Sequence, residues 1–356
     1  MSGSMPRSPG HGGLAWRTSA KTKPVSNILL HPPPSSSFDS AAFLCPSQRL
    51  NQLANRVWSS AWTLLVLVNL FWAGNIVIGR AVAGQVPPVA LAYWRWTGAF
   101  LLALGIAWPH LKRDRPVLLR HWRMMLLLAL VGFATYNTMS YIGLQHTTAL
   151  NALLMQSALP VLVLLWSFAL YGDRPGTRQA AGVLVSLCGV AAIVSGGSLD
   201  TLLHLTVNRG DAWILGGLAL HAVYGPILLR RRPAVHPLSF IVAAMGLASL
   251  MMLPFYVWEA AQGGVIRGGW TSYAAMAYAA VLPAFVAYFF YNRAIELVGA
   301  ARAGQSAHLM PVFGSVLAVL FLGERFHPYH VVGIVLIGAG LALASRKRLA
   351  TAPSPH

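Results

Sequence analysis

The sequence predicts an all-α membrane protein: ten transmembrane helices built as two inverted-topology five-helix repeats, with both termini cytoplasmic. Three observations predict it: an apolar composition, a lopsided placement of basic residues, and a stretch of chain that occurs twice. Of 356 residues, 56% are hydrophobic and 10% charged, and mean hydropathy is +0.59. Eight acidic residues cannot clothe a soluble domain of this length, so lipid must cover what water does not.

A hydrocarbon core about 30 Å thick takes roughly 20 residues of apolar helix. The spans read, in order, 60–79, 88–108, 122–144, 148–171, 178–196, 211–229, 238–258, 272–292, 300–322 and 329–345. Proline and glycine punctuate them. "GQVPPV" (84–89) ends the first, "PHLKRDRP" (109–116) the second, "GDRPG" (172–176) the fourth, "RRRPAVHP" (230–237) the sixth and "RGG" (267–269) the seventh.

Lysine and arginine gather in cytoplasmic loops. With the N-terminus inside, 21 of the 26 basic residues fall on the inner side, and only Arg80, Arg209, Arg267 and Arg325 on the outer; Arg95 lies within a span. Adding or losing one helix would move every later cluster to the wrong side, so the bias also supports the number of spans. The +18 formal charge lies in short clusters between apolar segments rather than on one folded face, which excludes a nucleic-acid partner.

Residues 1–56 are rich in Ser, Pro, Gly and basic residues, as in "HPPPSSSF" (31–38). They read as a disordered basic N-terminal extension without a secretory signal. Residues 57–200 and 201–348 form the two five-helix repeats, and 349–356 a short tail. Cys45 and Cys188 have no paired spacing for a metal or a disulfide. No zinc motif of two histidines and an acid, and no paired intramembrane aspartates, can be found. Neither a metal, a cofactor nor an enzymatic activity is expected.

The repeat shows when the chain is slid along itself by 151 residues, which lays Pro160 on Pro311, Gly172 on Gly323, Asp173 on Glu324, Arg174 on Arg325, Gly182 on Gly333 and Gly189 on Gly340. Ala149 on Ala300 and Leu144 on Ile295 extend it more weakly. Five helices separate equivalent points, so the second copy crosses the membrane in the opposite sense. In each copy an acid and an arginine close the fourth helix at a membrane face, where they can meet water and each other. A solvated loop and a direct part in transport both fit that pair.

"FWAGNIVIGRAV" (71–82), "PPVALAYWRWTGAFLLAL" (87–104), "TTALNALLMQSALPVLVLLWSFALYGDR" (147–174) and "YNRAIELVGAARAGQSAHLMPVFGSVLAVLFLGER" (291–325) occur in this order. Together they resemble the drug/metabolite transporter superfamily, specifically its EamA-like ten-helix permeases, over residues 60–345. His221 and Pro226 in "LALHAVYGPILLRRR" depart from the plainer stretch more usual there. The resemblance implies secondary-active export or exchange of small metabolites, amino acids or drugs across a bacterial inner membrane, by alternating access at a midplane site between the repeats. A facilitative channel, or an embedded enzyme acting on a lipid-linked substrate, stands as the alternative. The implied partners are a small-molecule solute and the lipid bilayer.

Proline locates the site from the residues themselves. Inside a helix it frees the carbonyl four residues earlier: Gln156 for Pro160, Ala307 for Pro311, Ala222 for Pro226 and Ala279 for Pro283. Pro160 and Pro311 fall halfway across the bilayer at matching points of the two halves, where interrupted helices line transporter sites. Polar groups cluster near these breaks: Asn151 and Gln156, Gln305 and His308, and His221 with Tyr224. Trp72 and Asn75, Tyr136 with Asn137 and Tyr141, and Tyr288 with Tyr291 and Asn292 join them. Each has a plainer reading as an interhelical link, as intramembrane polar groups often are. Asn69 and Asn75 stand six residues apart, about 240° around a helix, so they cannot share one face; the resemblance, whose stretch contains Asn75, implies that Asn75 is the one in the site.

Arg95 lies ~10 Å deep at helical rise, where a charge costs roughly 2.5–3.5 kcal/mol on insertion scales. It either meets an anionic or carboxylate-bearing solute or snorkels outward between Trp94 and Trp96. Glu296 pairs with Arg293 one turn back. That leaves His221 and His308 as the titrating candidates within the spans.

Overall fold

The computed structural model describes residues 57–203 and 208–345, all helix and connection without a strand. The expected N-terminal extension and C-terminal tail lie outside the described residues. The long helices are α1 (Ala61–Ala81), α2 (Pro88–Arg120), α3 (Trp122–Gly143), α4 (Ala149–Tyr171), α5 (Thr177–Val194), α6 (Arg209–Arg231), α7 (Pro237–Ala261) and α8 (Trp270–Val298). They continue with α9 (Ala300–Gln305, Ser306–His308 and Leu309–Leu322 in one run) and α10 (Pro328–Ser345). Among the described residues, nine are long and apolar enough to cross a bilayer, and the tenth contributes a shorter apolar stretch, Pro328–Leu343.

Local chemistry sets the ends. Ser60 and Thr148 cap α1 and α4 by accepting from the amides of Thr63 and Asn151, and so satisfy donors that a helix start leaves free. The repeat-equivalent glycines Gly172 and Gly323 end α4 and α9 at φ 70° and 65°. That left-handed turn suits glycine, which carries no Cβ.

The breaks also come in equivalent pairs. A 3-10 turn at Gln156–Ala158 precedes Pro160, and another at Ser306–His308 precedes Pro311. Two π-helical segments, Leu130–Ala134 in α3 and Ala280–Val286 in α8, contain the equivalent positions Gly132 and Pro283.

One loop expectation is corrected. "PHLKRDRP" reads as a turn, yet α2 runs through Pro109 and Pro116 to Arg120. The extension has a partner that composition does not reveal: Asp114 Oδ2 accepts from the His236 amide at 2.8 Å, and the His110 ring stacks on His236 at 4.0 Å.

Hydrogen bonds sort the loops onto two faces. On one, the Gly84 amide donates to Gln145 Oε1, Asn208 Nδ2 to the His146 carbonyl, and the Arg267 amide to the Gln85 carbonyl. The Ala149 and Leu150 amides donate to Glu324 on the same face. These contacts join the loops after α1, α3, α5, α7 and α9, here called the odd-loop face. On the other face, Asp114 meets His236 and Asp173 meets Arg230, joining chain near the loops after α2, α4 and α6.

The inversion is visible where α5 crosses α10. A Cβ on Gly189 would stand 2.8 Å from the Gly333 carbonyl oxygen, and one on Gly340 would strike the Gly182 carbonyl. The later end of α5 therefore meets the earlier start of α10, so these equivalent helices run antiparallel. Between the glycine contacts, Ser186 Oγ donates to the Ile337 carbonyl at 3.3 Å. Ser186 and Ile337 are themselves 151 residues apart, so the local two-fold passes between them. Small residues here let backbones approach closely, which is how helices associate without a hydrophobic drive in lipid.

The acid–arginine pairs do not meet each other as the sequence suggested. Asp173 binds Arg230 rather than Arg174, and Glu324 binds helix amides rather than Arg325. Both acids instead find their partners on other helices, α6 for Asp173 and the start of α4 for Glu324. Glu296 does pair with Arg293, at 3.0 Å.

Candidate functional site

The two π-helical segments shape the interior. A π-bulge leaves its carbonyls off the regular ladder and is common at functional sites, and here indole groups claim them. Trp96 Nε1 donates to the Phe133 carbonyl at 2.9 Å, and Trp72 Nε1 to the Pro283 carbonyl at 3.1 Å. The His221 ring lies 3.3 Å from the Val131 carbonyl.

Around them runs a continuous ring cluster. Trp72 meets Tyr288 at 6.0 Å, Tyr288 meets Phe133 at 5.7 Å and Trp96 at 6.1 Å, and Phe133 meets Tyr224 at 6.0 Å. His221 then stacks on Tyr224 at 5.9 Å and tilts against Tyr136 at 4.8 Å. Glycine makes room for it: a Cβ on Gly132 would collide with the Tyr224 ring.

Arg95 is 3% exposed, so it turns inward rather than snorkelling. Its Nη1 donates to Asn75 Oδ1, which also accepts from Tyr141 Oη at 2.6 Å. The guanidinium stands 4.9 Å over the Trp96 ring, a favourable cation–π placement. Its Nε is buried without a hydrogen-bond partner, and no carboxylate pairs with it among the described residues.

The structure thus joins Trp72, Asn75, Arg95, Tyr136, Tyr141, His221, Tyr224, Tyr288 and Tyr291 through direct contacts, the last by its ring 5.4 Å from that of Trp72, with Asn137 beside them, its Nδ2 3.4 Å from the Phe133 carbonyl. Asn292 touches it through Tyr288, whereas no hydrogen bond or ring contact brings Gln156, Pro160, Gln305, His308 or Pro311 to that cluster among the described residues. Asn292 spends its amide on the Tyr288 carbonyl one turn back. Gln156 is half-buried in its 3-10 turn, with Nε2 unpartnered. Pro160, Gln305 and His308 are exposed, and Pro311 is half-buried. Asn69 faces elsewhere, as its spacing from Asn75 requires: Nδ2 donates to Ser306 Oγ at 3.0 Å.

Trp96 enters the sequence reading only as a flank of Arg95, and Phe133 and Tyr278 do not enter it. The Tyr278 hydroxyl packs over Gly74 and donates to the Phe71 carbonyl at 3.4 Å. Gly132 was the available signal, since it aligns with Pro283 at the repeat offset.

Two inverted five-helix units, with apolar spans outside and a buried cation among aromatic rings inside, define an integral membrane protein of the inverted-repeat transporter class. The chain belongs to the EamA-like transporter family, whose pattern it matches twice, over residues 59–195 and 208–346. It is 28% identical over 296 residues to an uncharacterized transporter of Archaeoglobus fulgidus, covering 82% of this chain and 99% of that one. It is also 28% identical over 300 residues to a probable terminal-alkyne amino-acid exporter of Streptantibioticus cattleyicolor, covering 84% and 96%. A solved crystal structure with 20% identity shares the fold at a TM-score of 0.54, over 81% of this chain and 98% of the other.

Proposed function

We propose that this member of the family is a secondary-active carrier that exposes the Arg95 site to its two faces in turn, and that its solute carries a carboxylate or similar anionic group. One observation carries the reading: a buried guanidinium with a free Nε and, among the described residues, no counter-charge. Such a charge is costly in a membrane and marks a functional site by default. A carboxylate is a good partner because it accepts from the planar guanidinium at two points. The ring cluster offers apolar and stacking surface for the body of the solute. A relative named for amino-acid export favours the same solute class.

The basic loop residues favour the even-loop face as cytoplasmic, with both termini inside and the odd-loop face outside. In that orientation the carrier works in an inner membrane by export or exchange. Gln305, His308 and the Pro160 and Pro311 breaks then belong to the path that opens, rather than to the closed cluster.

Proteoliposomes loaded with labelled amino and carboxylic acids test the reading. Saturable, gradient-dependent flux or counterflow is expected, weakened by Arg95→Ala and partly kept by Arg95→Lys. Flux rising linearly with concentration would identify a channel. Transport of neutral and cationic solutes alone, indifferent to Arg95, would remove the anion site.

A further inference from the structure

Asp173 and Glu324 hold the same place in the two repeats, and so do the helix starts that can face them: Ala149 and Leu150 in α4, Ala300 and Ala301 in α9. The structure shows the first of the two contacts. Glu324 accepts from the Ala149 and Leu150 amides with its two oxygens, both at 2.8 Å. Asp173 is engaged by Arg230 instead, with Nη2 2.6 Å from each oxygen. The Arg230 guanidinium lies 4.3 Å over the Tyr171 ring.

The surroundings differ in the same sense. α4 buries Ala149, Leu150, Ala152, Leu153, Leu154 and Met155 at its start. In the equivalent part of α9, Arg302, Gly304, Gln305, Ala307 and His308 are exposed, and only Ala303 and Ser306 of the residues from 302 to 308 are buried. α4 also has its own cap in Thr148, whereas Gly299, at the equivalent position, has no side chain to offer. A carboxylate across a helix start answers free N–H groups and the positive end of the helix together. The Asp173–Arg230 pair joins side chains 48% and 45% exposed, the kind of ion pair that is weak and easily exchanged.

We infer that Glu324 and Asp173 are alternating latches of the transport cycle. In the state seen here Glu324 holds the α4 start and shuts the odd-loop face, while Arg230 keeps Asp173 away. In the opposite state Asp173 leaves Arg230 for the Ala300 and Ala301 amides, and Glu324 lets go. The inference rests on the alternating-access reading above.

The test uses full-length protein in nanodiscs, with Cys45 and Cys188 replaced by alanine and one reporter at a time, Ala152→Cys or Ala307→Cys, timed against a membrane-impermeant maleimide. The Ala307 reporter is expected to react faster. Glu324→Gln should speed the Ala152 reporter and slow the Ala307 reporter, each by about two- to tenfold. Arg230→Ala should shift both the same way by freeing Asp173, and should do nothing further once Asp173→Asn is present. Arg230 is exposed, so its variant carries the test if Glu324→Gln fails to fold. Unchanged rates, or both reporters speeding up together, would overturn the latches. Saturable flux without opposed labelling shifts overturns the latches alone. Opposed shifts in a protein that carries no solute overturn the carrier reading alone.

Discussion

The start of α4 and the start of α9 are copies of one design placed in opposite circumstances. The first is capped by Thr148, latched by Glu324 and buried. The second follows Gly299 and has an exposed flank. Two copies of a sequence pattern that rest in different environments are what the proposed exchange between two states requires, since a symmetric resting state would treat both alike. Among the described residues the odd-loop face is tied by bonds among all five of its loops or their flanking helix ends, and the even-loop face by the Asp114–His236 and Asp173–Arg230 contacts. Arg95 lies beneath the tied face, close to where Glu259 accepts from the Val89 and Ala90 amides at 3.1 and 2.7 Å.

The largest effect is expected at the shared centre. Arg95→Ala should lower kcat/KM for an anionic solute by about 30- to 100-fold, the scale of losing a buried charged partner, while the protein still purifies as a folded species. A loss confined to melting temperature, with flux per folded molecule intact, would assign Arg95 to structure.

Next comes the direct contrast between the latches. Glu324→Ala removes two charge-assisted bonds from amides and should cost about 1–3 kcal/mol, whereas Asp173→Ala removes an exposed ion pair and should cost at most about 1 kcal/mol. Thermal unfolding of the two variants side by side measures the difference. Equal costs would erase the distinction between the two helix starts.

Glycine substitutions sharpen the same contrast. Gly132→Ala pushes a methyl into the Tyr224 ring and should destabilise by about 1–3 kcal/mol, as overpacking does. Gly304→Ala, with nothing within 4 Å of its Cβ, should be neutral or gain up to about 1 kcal/mol of helix propensity. Melting temperatures check both.

The smallest effect concerns the even-loop face. Burial, together with the neighbouring His110 and Arg113, holds the His236 imidazole below its usual pKa. The fold therefore favours the neutral ring. Its contribution is present above the ordinary histidine value of about 6.5 and is lost as pH falls from there through the depressed value. Melting temperature should decline mildly over that window in the wild type, and less in His236→Gln.

Much of this architecture was legible because membrane physics leaves a strong trace. Span lengths, basic loops and the repeat offset predict the ten helices and their inversion, and Pro160 and Pro311 mark the 3-10 turns. The α3 π-segment was not legible, since Gly132 carries no breaker signal of its own and only its alignment with Pro283 hints at it. α2 was read too short because its last turns depend on His236, a partner 122 residues away. For the site, the depth of Arg95 and the separation of Asn69 and Asn75 onto different faces follow from helix geometry, while the choice of Asn75 follows from the stretch that carries the family resemblance. Gln305 and His308 are placed by their position before Pro311, and composition cannot say which side of a helix is sealed.

Hydrogen–deuterium exchange in lipid nanodiscs tests the central asymmetry most directly, by comparing the amides of 149–155 with those of 300–306. The account predicts that the α4 segment exchanges about tenfold or more slowly than its α9 counterpart. Equal protection of the two segments, or the reverse order, would contradict it.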